Sequence, residues 1–239
     1  MPGLPVLAVC GLAFEAAIAS GPGVVTVCGP GPARLCARLD ALLAASPHQN
    51  GRGWGGIISF GCAGALNPGL APGTCVVATG VLTRDGVVPA DTAWMRALLG
   101  CLPGAWPARL AGLDDPLLSS VDKIRLWRDS GACAADMESH AAALAAQRHG
   151  LPFAACRVVL DPAWRDVPAC ALAGMREDGS SAILPLLRAL GAAPRELGAL
   201  CALALDARQA RRVLRKVRVR LGPRLAAPGT LDHASKGSA

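Results

Sequence analysis

Tyrosine is absent from this 239-residue chain, and its other aromatic residues are 3 Phe and 5 Trp. With so few rings to interleave with its positive charges, the chain is not expected to bind nucleic acid. No apolar run reaches the roughly 18–20 residues of a membrane span. Met1–Val9 lacks the basic n-region of a secretory signal, so none is expected. The 10 Cys include no C-x-x-C pair and no Cys/His cluster. That spacing offers no zinc site, and the chain is too large to depend on a disulfide framework. The cysteines read as reduced, buried thiols of a cytoplasmic protein, with no metal or cofactor. The bias to Ala, Gly and Arg looks like a skewed coding composition, which weakens arguments from residue propensity.

What is present is unevenly spread. Residues 207–239 hold nine Lys/Arg and one acid, a net of +8, whereas residues 1–206 hold 15 basic and 16 acidic residues, a net of −1. Residues 1–206 therefore read as one domain and residues 207–239 as a basic extension ending in disorder. Within Ala207–Leu221, the residues Val213, Leu214, Val217 and Leu221 share one helical face and Arg/Lys fill the rest. Such a helix suits an anionic membrane surface, or it docks on the domain by its apolar stripe.

Apolar runs alternate with helix-forming stretches. Leu4–Cys10, Val24–Cys28, Ile57–Phe60 and Phe153–Leu160 read as strands, the last two buried. Ala33–Ala45, Asp91–Cys101, Ala135–Arg148, Ser181–Leu190 and Pro194–Asp206 read as helices, and Gly104–Pro107 as a loop carrying Trp106. Alternation of this kind predicts a single three-layer α/β domain.

Three carboxylates stand at element ends: Glu15 after the first strand, Glu138 at a helix start, and Asp161 where the last strand meets Pro162. An acid at a helix start also favours the helix dipole, which suffices for Asp136 and is an alternative for Glu15 and Glu138. Asp161 is equally a turn residue before proline. Gly29 and Gly31 follow a strand and open a helix, where backbone can approach a ligand. Asp114-Asp115 reads as a solvated turn, and Leu117-Leu118 as core or pocket wall.

The block D-M-E-S-x-A-x-A from Asp136, followed by R-x-x-x-D from Arg157 to Asp161, resembles the purine nucleoside phosphorylase / methylthioadenosine–adenosylhomocysteine nucleosidase superfamily. Gly61-Cys62-Ala63-Gly64-Ala65-Leu66 is similar to its G-S-A-G-G-L motif, with Cys62 in place of the serine. Leu70–Val77 matches L-x-x-G-D-x-V-V, with Thr74 in place of the aspartate. Ser59 stands where trimeric and hexameric phosphorylases carry an arginine, so a strong phosphate site is not expected. The resemblance spans about residues 4–205 and implies the nucleoside phosphorylase/nucleosidase fold with a mixed central sheet.

By the same resemblance, Asp161 protonates the leaving purine, Glu138 and Met137 hold the ribose, and Glu15 activates water. Arg157 orients the acid's loop, and Gly29, Gly31, Gly61, Cys62, Ala63 and Gly64 line the nucleoside site. Phosphate is implied as an optional co-substrate, and a homo-oligomer as the assembly. The F-E-A-x-I-A opening at Phe14 and D-K-I-R-x-W at Asp122 resemble the phosphorylase-like proteins of bacterial hopanoid biosynthesis, which release adenine from adenosylhopane. That member implies a lipid-linked adenosyl substrate and a place at the inner membrane face. Methylthioadenosine or S-adenosylhomocysteine is the alternative substrate, and a non-catalytic nucleoside-binding or membrane-adaptor role is the alternative to an enzyme.

Overall fold

A computed structural model describes residues 3–29, 32–45, 53–173, 192 and 194–228. Gly31, the helix expected at 181–190 and the tail end 231–239 lie outside the described residues, as does part of the loop expected at 48–56. The strands are β1 (Val6–Cys10), β2 (Val24–Cys28), β3 (Ile57–Ala65), β4 (Cys75–Thr83), β5 (Gly86–Pro89), β6 (Trp106–Gly112), β7 (Ala134–Asp136) and β8 (Phe153–Asp161). The helices are α1 (Ala13–Ala19), α2 (Pro32–Ala44), α3 (Thr92–Cys101), α4 (Ser120–Ser130), α5 (Ser139–Arg148), α6 (Ala169–Ala173) and α7 (Leu197–Leu221).

The sheet is mixed. β2, β1 and β3 run parallel, and β3 then has two further partners, β8 (parallel) and β7 (antiparallel). β8 continues antiparallel to β4, β4 parallel to β6, and β6 parallel to β7. The strands β3, β8, β4, β6 and β7 therefore close a five-stranded ring, with β1 and β2 extending from one side. The apolar strands read as near-continuous hydrophobic runs because helices cover both faces. α2 and α5 pack on one face around Leu35, Leu39 and the buried alanines of α5. α1, α3 and α7 pack on the other, around Trp94, Leu98 and Leu214.

Three expectations change. The chain at Trp106 is a strand, β6, because its backbone pairs with β4. Ala134–Asp136 is also a strand, and the helix begins at Ser139: pairing with Gly64–Ala65 and Leu110–Gly112 outweighs the helix propensity of alanine. Position 206, the expected domain boundary, falls inside the continuous helix α7. Ala210, Leu214, Val217 and Leu221 are buried in the core, so the apolar stripe docks on the domain. Arg218 Nε donates to Ala19 O at 2.8 Å, Trp94 Nε1 to Leu225 O at 2.9 Å and Arg224 Nε to Leu4 O at 2.7 Å, tying the C-terminal segment to α1, to α3 and to the residues before β1.

Candidate active site

The carboxyl ends of β1, β3 and β8 lie at one end of the sheet because the three strands are parallel. Between Ala63 and Gly64 the β3–β8 register slips by one residue, so that Gly64 pairs with Asp161. Such an irregularity re-aims a side chain at a strand end.

Arg157, midway along β8, is fully buried. A guanidinium there requires counter-charges. Its Nε lies 2.9 Å from Asp136 Oδ2, an ion pair without a linear hydrogen bond. Its terminal nitrogens donate to Ser59 Oγ (2.5 Å), Glu138 Oε2 (3.3 Å) and Cys62 O (3.3 Å). Burial works against the charge, but Asp136, Glu138 and Glu15 together hold Arg157 protonated.

Glu15 is fixed by backbone. Its Oε2 accepts from Gly11 N and Leu12 N, both at 3.0 Å, and its Oε1 from Cys62 N at 2.8 Å. Burial raises its pKa, opposed by Arg157 and by the Cys62 and Leu12 amides. The Cys62 thiol is pushed well up by burial and by Glu15 beside it, so it stays neutral. Gly61 makes the packing feasible: a Cβ there would meet Glu15 Oε2 at 2.5 Å and Arg157 at 2.7 Å.

The β7–α5 turn presents Met137 and Glu138. Asp136 Oδ1 accepts from Glu138 N (3.0 Å) and Ser139 N (2.7 Å), and Ser139 Oγ bridges Asp136 Oδ2 (2.5 Å) and Ser59 Oγ (2.8 Å). Asp136 is thus both the cap of the turn and the counter-ion of Arg157, beyond its expected place as a helix-start acid. Glu138 is pushed up to about 8 by burial, against the pull of Arg157 and with the repulsion of Asp136 and Glu15. A cation-like group arriving beside it would favour its ionised form.

Asp161 faces these groups from the end of β8. Its Oδ2 accepts from Lys123 Nζ at 2.6 Å. Burial raises its pKa and Lys123 opposes the rise. The carboxylate lies over Gly64, whose Cβ position would be 3.2 Å from Oδ2. Glu15, Met137, Glu138, Asp161, Cys62, Ala63, Gly64 and Lys123 line one cavity of about 210 Å³. Leu66, Leu113, Leu117, Leu118, Leu160 and Val167 make its apolar wall.

Most residues singled out in the sequence therefore meet at one site. Arg157 and Gly61 do not line the cavity: they lie beneath it, against Glu15 and Glu138. Arg157 contacts those carboxylates, and the turn after Asp161 is held by Lys123 instead. Gly29 follows β2, donates to Cys10 O at 3.3 Å and is not among the cavity's lining residues. Sequence reasoning missed Lys123 and Ser139. The D-K-I-R-x-W segment held the lysine, but its acid lies 38 positions away.

The sequence profile described as the Phosphorylase superfamily matches residues 5–177. A comparison with curated proteins gives no match. Among solved structures, the chain is similar to an S-adenosylhomocysteine nucleosidase from Streptococcus pyogenes in complex with 5-methylthiotubericidin. The TM-score is 0.63 at 16% identity, covering 93% of this chain and 99% of the other. It is similar to a mutant 5'-methylthioadenosine/S-adenosylhomocysteine nucleosidase of Helicobacter pylori with 5'-methylthioadenosine in its active site (TM-score 0.62, 13% identity, 90% and 98% covered). Futalosine hydrolase of Helicobacter pylori is also similar (TM-score 0.57, 14% identity, 66% and 88% covered). At these identities the likeness is one of fold.

Proposed function

Because the chain belongs to the phosphorylase superfamily, we propose that it cleaves the N-glycosidic bond of a purine nucleoside. The observation that carries this reading is that Glu15, Glu138 and Asp161, from three separate elements, line one cavity. Breaking such a bond leaves positive charge on the sugar and negative charge on the base. Asp161 supplies the proton to the base, and its burial favours the protonated form this needs. Glu138 accepts hydrogen bonds from the ribose hydroxyls and, in its ionised form, faces the growing positive charge. Met137 packs on the sugar. Glu15, with three backbone N–H groups fixing its oxygens, takes a proton from the attacking water.

Water is the nucleophile in this proposal. Among the described residues that line the cavity, the carboxyl groups are Glu15, Asp115, Asp136, Glu138 and Asp161, and Lys123 is the one cation. A phosphate dianion would meet these acids without a guanidinium to hold it, since Arg157 is fully buried on Ser59.

For the substrate, we propose an adenosyl group with an apolar 5′ substituent, adenosylhopane being the candidate from the resemblance at Asp122–Trp127. The aliphatic wall that includes Leu66, Leu113, Leu117, Leu118, Leu160 and Val167 supports it. Contact with an anionic membrane, on the outer face of α7, belongs to the same proposal. The likeness in fold to nucleosidases of methylthioadenosine and S-adenosylhomocysteine favours a second reading, a soluble 5′-thio nucleoside.

The test is chromatography of products from adenosylhopane, methylthioadenosine and S-adenosylhomocysteine, with and without phosphate. Adenine should appear without phosphate, fastest from the lipid-linked substrate. Asp161→Asn should slow release by about 10²–10⁴-fold. No base from any of the three would leave nucleoside binding as the function.

A further inference from the structure

Lys123 is 1% exposed, on α4, a helix whose neighbouring residues are mostly half-exposed. Its ammonium has three donors, and three acceptors meet it: Asp161 Oδ2 at 2.6 Å, Arg165 O at 2.9 Å and Pro162 O at 3.4 Å. All three belong to the end of β8 and the turn that follows. One cation from a different helix therefore stitches together the segment that carries Asp161. Burying a lysine is costly unless its charge is matched. Asp161 is the acid it pairs with.

We infer that Lys123 is a positioning residue for base departure: it pins one oxygen of Asp161 so that the other carries the proton, and it offsets the charge left when that proton is transferred. The inference rests on the reading of Asp161 as the acid. Lys123 occupies Oδ2, so the transferable proton sits on Oδ1. As the glycosidic bond breaks, its electron pair goes to the purine, the Asp161 O–H bond breaks, and an N–H bond forms on the purine ring. Water adds to the sugar carbon and gives its proton to Glu15. Asp161 becomes a carboxylate beside a cation 2.6 Å away, so charge develops where a counter-charge already stands. Besides Lys123, Cys62 on β3 and Asp206 on α7 act on Asp161, and Glu15 on α1 and Glu138 at the start of α5 share its cavity. Asp206 is itself paired with Arg165 at 2.5 Å.

The test uses the full-length protein with ¹³C-labelled aspartate, following the Asp161 carboxyl by NMR against pH in wild type, Lys123→Met and Lys123→Arg. Asp161→Asn provides the assignment. In Lys123→Met the Asp161 titration should move up by about one to three pH units, and Lys123→Arg should restore most of it. Wherever base release is measurable, its alkaline limb should move with the titration while the maximal rate falls. A purely structural lysine would lower the unfolding temperature and leave the titration in place, and that result would overturn the inference. The titration needs no substrate. A protein that releases no base would overturn the enzymatic reading while leaving the Lys123–Asp161 coupling measurable by itself.

Discussion

Glu138 occupies the space above Gly11: a Cβ added at Gly11 would lie 2.5 Å from Glu138 Oε1 and 2.7 Å from its carboxyl carbon. The β1–α1 turn thus leaves room for a group delivered by the β7–α5 turn, more than 120 residues later in the chain. Gly11→Ala should displace the carboxylate, which is the mobile end of a side chain, and leave the backbone intact. The expected result is a loss of about 10²-fold in kcat/KM with a near-normal unfolding temperature. Gly61→Ala strikes Glu15 and Arg157 together in the buried cluster and should destabilise the fold as well. Normal turnover by Gly11→Ala would show that Glu138 need not sit where it does.

Protonation of Glu138 makes stability depend on pH. Its folded pKa is about 8 against an ordinary 4.5. Below about 4.5 both folded and unfolded chains hold the proton, and between 4.5 and 8 only the folded chain does. Stability is therefore fully present at the acid end of this window and is lost as pH rises through it, by at most about 5 kcal/mol for this group. Glu15 and Asp161, both raised by burial, act in the same direction. Urea unfolding from pH 5 to 9 should show the decline, and Glu138→Gln should flatten it. An unchanged slope in the mutant would assign the decline to other groups. The same substitution should lower kcat by about 10²–10³-fold, because an amide cannot carry the negative charge offered to the sugar.

The order of β1, α1, β2 and α2 and the strand β8 were legible because these strands are apolar runs bounded by Gly, Pro and Asp. β7 was not legible. Ala134–Asp136 favours helix locally and becomes a strand only through partners on β3 and β6. Glu15, Glu138 and Asp161 stood out as acids at element ends, a position that a one-dimensional pattern reveals. Lys123 did not, since Asp122-Lys123-Ile124-Arg125 looks like any solvated helix face and the lysine's burial is a property of the β8 turn packed on it. Asp136 was likewise readable as an acid at a helix start, but its guanidinium partner arrives from another strand. In α7 the apolar stripe was correctly located by period. Whether it meets a membrane or a core is decided by α1, α3 and the sheet, which offer it a surface.

That docking sets the last prediction. Cutting the chain after Asp206 removes Ala210, Leu214, Val217 and Leu221 from the core and the Trp94–Leu225 hydrogen bond. Losing several buried aliphatic side chains costs about 2–5 kcal/mol each, comparable in sum to the whole stability of a domain. The truncated protein should therefore fail to fold, and truncation is the wrong test of membrane contact. The outward face offers a better one. Leu205, Arg208, Arg212, Arg215 and Val219 are exposed and recur at helical spacing, so a basic stripe runs between two exposed aliphatic residues. Changing Arg208, Arg212 and Arg215 together to Glu leaves the buried face untouched and should keep the unfolding temperature near wild type. Each basic residue near an anionic bilayer contributes about 1 kcal/mol, so losing three should weaken vesicle binding by about 10²-fold, before repulsion by the new acids is counted. Co-sedimentation with vesicles containing phosphatidylserine, at low and high salt, measures this. Methylthioadenosine cleavage followed alongside should be unaffected, since none of the three arginines lines the substrate cavity. Equal binding by the folded triple mutant and wild type would exclude the proposed membrane contact through this face.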